Sequence, residues 1–344
     1  MPQRRVTIGD VAEAAGVSVA TVSKVINDRY GVSSATATRV KAVVSDLGYE
    51  SSLIARSLRS HRTHVVGILV ADIEPFSAEL LKGAARAIKT SGYELIVYSG
   101  SGHGVEHAGW ERRNVSRLSG TLTDGIILVT PTVDDLGEGG LIVAVDPHTG
   151  ASTMPNVHAD NLAGAITATD HLIDLGHRRI GFLAGRPDLD SARLREQGYY
   201  DALATAGIEA DPSLYRVGGY ELETSLEPAR QLLELADPPT AIFAANDLSA
   251  IQTMNVARSL GLSVPDDVSV IGFDNIPESA LTDPPLTTID QSIQTMGEEA
   301  VRMLVDLLNG VTDRPRQVTL PTKLVVRQSC RRIVTPFAGH GGRL

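Results

Sequence analysis

The 344-residue chain is 42% hydrophobic and 21% charged, ordinary for a globular protein and long enough for two or three compact units. It holds no apolar run long enough to span a bilayer, and its one cysteine, Cys330, cannot close an internal disulfide, so neither a membrane nor an oxidising compartment is indicated. The net charge of −10 argues against a nucleic-acid partner until its distribution is read: residues 1–62 carry nine Lys/Arg against five Asp/Glu, a net +4, leaving −14 on the rest. A basic head on an acidic body draws a polyanion to one end and repels it from the other.

In chain order, Met-Pro-Gln-Arg-Arg leads into a polar helix rather than an apolar signal segment, so the cytoplasm is the expected compartment. Ile8, Val11, Ala12 and Ala15 fall at i, i+3, i+4 and i+7, one apolar stripe of a short helix. Gly16 stops that helix, and Ser18 caps a second whose Val22, Val25 and Ile26 can face the first. A third stripe at 39–47 runs through Val40, Val43, Val44 and Leu47. Three such helices cover one small core and leave Val19, Ala20, Thr21, Ser23 and Lys24 on a free face. Those are small or long-reaching groups, the pattern of a DNA-reading helix-turn-helix.

Residues 49–60 form a short linker with helical potential. From His64 onward strands alternate with helices: strands at 65–70, 95–98, 126–129 and 141–145, with a helix at 77–90 whose stripe is Leu81, Ala84, Ala85 and Ile88. A second series follows, with helices at 161–175, 191–206, 224–236 and 247–260 and strands at 180–184, 241–244 and 268–273. A helix at 293–309 and a strand at 317–327 come last, and the Gly-rich tail 331–344 is expected to be loose, without a leucine heptad. Alternation of this length means parallel sheets with helices on both faces, and sites in such sheets lie beyond the strand C-terminal ends. Asp146 and Asp274 follow apolar strands, so both should face a cleft.

The N-terminal run Thr7-Ile-Gly-Asp-Val-Ala-Glu-Ala-Ala-Gly-Val-Ser-Val-Ala-Thr-Val-Ser-Lys-Val-Ile-Asn resembles the DNA-binding domain of the LacI/GalR family of bacterial transcription regulators, and the likeness extends to about residue 330. In the body it is carried by Asp160-Asn-Leu-Ala-Gly, His171-Leu-Ile-Asp-Leu-Gly-His-Arg-Arg-Ile-Gly-Phe, Ser191-Ala-Arg-Leu-Arg, Asn246-Asp, Gly272-Phe-Asp and Pro284-Pro-Leu-Thr-Thr-Ile. The resemblance implies an α/β protein with a three-helix helix-turn-helix head and a hinge helix, then a periplasmic-binding-protein-like body of two doubly wound parallel-sheet subdomains. It divides the chain into 1–50 (head), 51–62 (hinge linker), 63–160 plus 292–321, 161–291 plus 322–330, and the tail. The crossovers between the subdomains act as a hinge.

By the same resemblance Val19, Ala20 and Lys24 would read bases. Val19 and Ala20 suit a thymine methyl, and Lys24 reaches guanine O6 and N7. Thr21 and Ser23 would hold phosphates, with Thr7, Ser18 and Asn27 completing the DNA contacts. In the linker the matching residues are Ala55, Arg56 and Leu58, the leucine being a minor-groove wedge. Ser51-Ser52 stands where many relatives have Pro-Asn, which removes the proline stiffening while Ser52 can still cap a helix. The effector contacts would be Asp72, Asp146, Arg195, Asn246 and Asp274, with Phe76 and Tyr220 as aromatic walls. Two-ended polar groups of this kind suit the vicinal hydroxyls of a sugar. A homodimeric repressor of carbohydrate-use genes on a palindromic operator, with no cofactor, is the expected whole.

Other readings carry less. His103-Gly-Val-Glu-His fits an inverted zinc-protease pattern, but it begins in a glycine run that disfavours the helix zinc would need, so no metal is expected. The Gly100-x-Gly102-x-Gly104 spacing is not a dinucleotide loop, and Trp110 is expected to pack or lie at an interface. A sugar transport receptor would explain the body but not the head. Within the regulator class, a purine effector would call for aromatic stacking and a closed polar edge.

Overall fold

A computed structural model of the chain describes residues 6–26, 29–49, 62–100, 110–120, 122–133, 136, 140–148, 153–311, 313 and 315–333. Asn27, the linker residues Ser51, Ser52, Ala55, Arg56 and Leu58, the motif at 103–107 and the tail from 334 lie outside them. The chain divides into two compact units, Met1–Thr63 and His64–Leu344.

The first unit is helical: α1 (Ile8–Ala15), α2 (Val19–Ile26) and α3 (Ser34–Asp46). A capping box starts α1, Asp10 N–H donating to Thr7 Oγ1 at 3.3 Å and Thr7 N–H to the Asp10 carboxylate at 2.7 Å. Gly16 ends it at φ +64°, a conformation that costs glycine no Cβ clash. Val11, Ala12, Ala15, Val22, Val25 and Val40 close the core. Leu47, expected in the third stripe, instead caps the end of α3 and is 38% exposed, because the helix stops at Asp46 before another turn can carry it inward.

The second unit holds two parallel sheets. The first is built from β1 (Val65–Val70), β2 (Glu94–Ser99), β3 (Gly125–Val129), β4 (Leu141–Val145), β5 (Asn156–Ala159) and β11 (Gln317–Leu320), in the order β11-β5-β4-β3-β1-β2. Alternation along β1 puts Val66, Ile68 and Val70 against α4 (Pro75–Ala87) and α10 (Ile293–Leu308), and Leu69 against α5 (Trp110–Leu118). The second sheet runs β7-β6-β8-β9, from β7 (Tyr215–Val217), β6 (Ile180–Ala184), β8 (Ala241–Ala244) and β9 (Ser269–Ile271). Its faces are covered by α6 (Asn161–Asp174) with α7 (Asp190–Thr205), and by α8 (Leu222–Leu233) with α9 (Asp247–Ser259). A short antiparallel pair, β10 (Thr288–Asp290) with β12 (Lys323–Val325), completes it. Burying a side chain such as Phe182 or Ile68 stabilises the fold by roughly 1.5–3 kcal/mol each.

Three expectations are corrected. The single strand at 317–327 is two strands in different sheets, broken at Pro321, where proline has no N–H to continue a ladder. The buried stripe of α4 is Ser77, Leu80, Gly83, Ala84 and then Ile88, while Ala85 is exposed and Leu81 half-buried. The strand expected at 268–273 pairs only over β9, although Val268 and Phe273 are both buried.

The rotated stripe has a cause. At Gly83 a Cβ would stand 1.8 Å from the Gln294 carbonyl oxygen, and at Gly297 it would stand 2.2 Å from the Leu80 carbonyl oxygen. The two helix backbones touch there, and Arg86 fastens the contact by donating to Glu298 at 2.7 and 2.9 Å and to Gln294 at 2.6 Å. Trp110, 6% exposed, belongs to the core under β1 and β3. Among the described residues no helix is long and apolar enough to cross a membrane.

Candidate DNA-reading surface and candidate ligand cavity

In the first unit, α2 is capped by Ser18, whose Oγ accepts from Thr21 N–H at 3.1 Å and lies 2.9 Å from the Thr21 hydroxyl. Val19 is 46% exposed, Ala20 and Lys24 are exposed, and Thr21 and Ser23 are half-buried. The base-reading candidates therefore share the open side of α2, and the phosphate candidates lie at its margin. Thr7 is exposed at the start of α1, where its hydroxyl donates to the Asp10 carboxylate at 2.7 Å within the capping box. Lys24→Ala is expected to lower affinity for the specific operator about ten- to a hundredfold while affinity for random DNA falls much less. Equal losses on both DNAs would make Lys24 a phosphate contact.

In the second unit, a cavity of about 380 Å³ opens at the C-terminal ends of both sheets. All seven candidate ligand residues, Asp72, Phe76, Asp146, Arg195, Tyr220, Asn246 and Asp274, line it. Asp146 follows β4 at φ +48° and Asp274 follows β9 at φ +119°, backbone that L-residues seldom adopt and that turns each carboxylate off its strand end.

Arg195, on α7 and 3% exposed, organises the floor. Its Nε donates to Asn161 Oδ1 at 2.9 Å, Nη1 to the Ala245 carbonyl at 2.6 Å and to Asp274 Oδ1 at 3.3 Å, and Nη2 to Gln291 Oε1 at 3.4 Å. The guanidinium stacks 3.8 Å from the centre of the Phe273 ring. Gln291 Nε2 donates to Asp274 Oδ1 at 2.6 Å, and Asn161 Nδ2 reaches Asp146 Oδ1 at 3.5 Å. Burial pushes both carboxyls upward against the opposing pull of Arg195, Asp274 the further.

The remaining lining residues play mixed parts. Asn246 caps α9, accepting from Ser249 N–H at 2.9 Å and donating to the Tyr220 carbonyl at 3.0 Å, which leaves half its amide for a ligand. Asp72 sits at the exposed rim, where its carboxylate also accepts from Ile73 N–H at 2.7 Å, a turn-forming bond. Phe76 both lines the cavity and packs on the first core. The Tyr220 hydroxyl is buried and makes no hydrogen bond, though Ser191 is a near neighbour, and burial holds it up at about 12.

Sequence reasoning missed Asn161, Gln291 and His148. Asn161 lay in a segment quoted for its likeness but read only as a helix start. Gln291 directly follows the end of β10 and His148 stands two residues beyond Asp146, positions that were themselves the available signal.

Asp247, wholly buried beside Asn246, accepts from the Thr288 hydroxyl at 2.5 Å and from Ile276 N–H at 2.9 Å. Burial nevertheless pushes its carboxyl up to about 7, with Asp274 and Arg327 as charged neighbours. The folded state then holds this proton more tightly than the unfolded chain. The associated stability is full below pH about 4 and is lost as pH rises through about 7. Asp247→Asn can keep both bonds, its amide oxygen taking Ile276 N–H and its NH2 donating to Thr288 Oγ1. Its melting temperature should therefore fall less than the parent's between pH 5 and pH 8; parallel declines would assign the slope to Asp274 instead.

Residues 7–52 match the family described as bacterial regulatory proteins, lacI family, and residues 169–330 match a periplasmic binding protein-like domain. The chain is 35% identical over 341 residues to the HTH-type transcriptional regulator CelR of Thermobifida fusca, spanning 95% of this chain and 99% of that one. It is 32% identical over 332 residues to the HTH-type transcriptional repressor CytR of Escherichia coli, spanning 94% and 96%. A solved CelR–cellobiose complex superposes with a TM-score of 0.71 at 33% identity, over 94% of this chain and 100% of that one. The lac repressor dimer bound to operator and the anti-inducer ONPF gives 0.84 at 28% identity, over 95% and 100%.

Proposed function

The chain belongs to the LacI family of bacterial regulatory proteins, and from that membership we propose that it represses carbohydrate-utilisation genes under the control of a sugar bound in the body cavity. As a family member it is a DNA-binding transcriptional repressor, and its relatives regulate transcription rather than catalyse reactions. The observation that carries the sugar reading is the cavity floor. Arg195, Asp274, Asp146 and Asn246 line it together with Phe76 and Tyr220, polar groups for hydroxyls beside aromatic rings for the apolar face of a sugar. The relative CelR, solved as a cellobiose complex, supports the same reading.

Two copies form a symmetric dimer in the cytoplasm, each head reading one half of a palindromic operator through Val19, Ala20 and Lys24. The body divides into 63–160 plus 292–321 and 161–291 plus 322–330. A sugar that closes one half onto the other shifts the paired N-terminal halves and withdraws the linkers, with the Leu58 wedge, from the minor groove. A coupling of about 1–3 kcal/mol suffices, within reach of one buried ligand.

Fluorescence anisotropy of the full chain on its own upstream DNA tests this. Cellobiose or another disaccharide should raise the operator Kd about five- to a hundredfold. Specific binding that only hypoxanthine, guanine or a nucleoside alters would replace the sugar with a nucleobase and keep the repressor.

A further inference from the structure

The charge of the ligand is written in what the two cavity arginines already hold. A guanidinium has five N–H donors, and a phosphate or carboxylate is gripped by two parallel ones. Arg195 makes four protein bonds, to Asn161, the Ala245 carbonyl, Asp274 and Gln291, so one donor remains. A single N–H serves a hydroxyl and not an anion. Arg186, at the mouth, is more than half exposed and keeps three donors, but its charge is already countered by Asp188 through two bonds, Nε at 3.2 Å and Nη2 at 2.6 Å. Against these stand Asp146 and Asp274 on the floor, Glu74 at the start of α4, and Asp72 and Glu221 at the rim, five acidic groups facing one space.

Two buried polar atoms await a partner there. His148, 7% exposed and two residues beyond Asp146, has an Nδ1 with no hydrogen bond, and so has the Tyr220 hydroxyl. Burial and the Arg186 charge hold the imidazole down at about 4, so at neutral pH it is uncharged and can give or take one bond. His148 shares its charged neighbours, Arg186 and Asp188, with the mouth, whereas Tyr220 shares Arg195, Asp274 and Asp146 with the floor. The two unfilled atoms therefore sit among different charged groups of one cavity.

We propose that the effector is an uncharged polyhydroxy molecule that spans the cavity from the Arg195 floor to His148, and that phosphorylated and carboxylated sugars are rejected by an Arg195 already committed to protein partners and by carboxylates that outnumber the arginines. This rests on the reading of the cavity as an effector site. Within that reading it separates a repressor of free sugars from one of sugar phosphates or sugar acids.

Calorimetry on the full chain with matched probes decides it: cellobiose against cellobionate, trehalose against trehalose 6-phosphate, glucose against glucose 6-phosphate and gluconate. The neutral member of the binding pair should be at least a hundredfold tighter than its anionic partner. An anion that binds as well as its neutral partner, or better, overturns the charge assignment while leaving a sugar effector in place. Binding by hypoxanthine or guanine and by no sugar overturns the sugar reading itself. His148→Phe keeps a buried ring and removes the nitrogen, so the neutral sugar should weaken about three- to tenfold. Unchanged affinity would remove His148 from the site.

Discussion

Arg195→Ala is expected to abolish the sugar response and to lower the melting temperature of the body, while operator binding at low temperature survives. The substitution strips Asp274, Asn161, Gln291 and the Ala245 carbonyl of one shared donor group at the cavity floor. Removing one partner of a buried ion pair costs about 3–5 kcal/mol. Part of that is recovered if Asp274 takes up a proton, since burial already holds its carboxyl well above the usual range and Arg195 is the main influence pulling it down. The variant's Asp274 is then raised further, so its stability is fuller at low pH and is lost as pH rises through the new value. The deficit against the parent should thus be larger at pH 8 than at pH 5. Arg195→Lys should recover little, because an ammonium lacks the planar fork and the stacking on Phe273. A variant that melts like the parent and still releases DNA with sugar would remove Arg195 from the centre of the site.

Gly83→Ala is expected to destabilise the body more than any other single methyl added in α4. The new Cβ would meet the Gln294 carbonyl oxygen at 1.8 Å and its carbon at 2.6 Å, so relief requires α4 and α10 to separate. Both helices pack on the core through Leu80, Ala84, Met296 and Ala300, which would lose contact together. Overpacking against flexible side chains costs about 1–3 kcal/mol, and a backbone obstacle puts this case at or beyond the upper end. Gly9→Ala in α1 is the control: its Cβ meets only Thr7 Oγ1 at 3.5 Å, and helix propensity alone should make it neutral or stabilising by up to about 1 kcal/mol. Equal melting temperatures for Gly83→Ala and the parent would show that the helices part easily.

Much of this architecture is legible in the chain because each residue there answers to one periodicity. Val11, Ala12 and Ala15 are buried because the helix repeats, and Val66, Ile68 and Val70 share a face because the strand does. Legibility fails where two structures share one run. Val318, Leu320, Leu324 and Val325 read as one apolar strand, yet β11 and β12 belong to different sheets. α5 was missed because its sequence is mostly polar and only Trp110, Val115 and Leu118 carry its packing face. In the cavity, Arg195, Asn246 and Asp274 were found through motifs, whereas Asn161 and Gln291 owe their places to chain crossovers. Asn161 opens α6 just after β5 leaves the first sheet, and Gln291 stands between β10 and α10. No local pattern announces that both will meet the same guanidinium.

The clasp between α4 and α10 also makes a lever. Both helices begin at the cavity, α4 at Pro75 and α10 just past Gln291, and the bare backbone at Gly83 and Gly297 leaves no compressible side chain between them. The far end of α4 runs to the N-terminal edge of β1, where Tyr93 packs at 5.6 Å on His64, the residue at which the chain enters the body. Thirteen residues at 1.5 Å per residue give an arm of about 20 Å, so a tilt of about 5° at the cavity becomes about 2 Å of travel at that edge. Stiffness here is gain: a softer joint would absorb the ligand's push as local strain, and a rigid one delivers it as displacement.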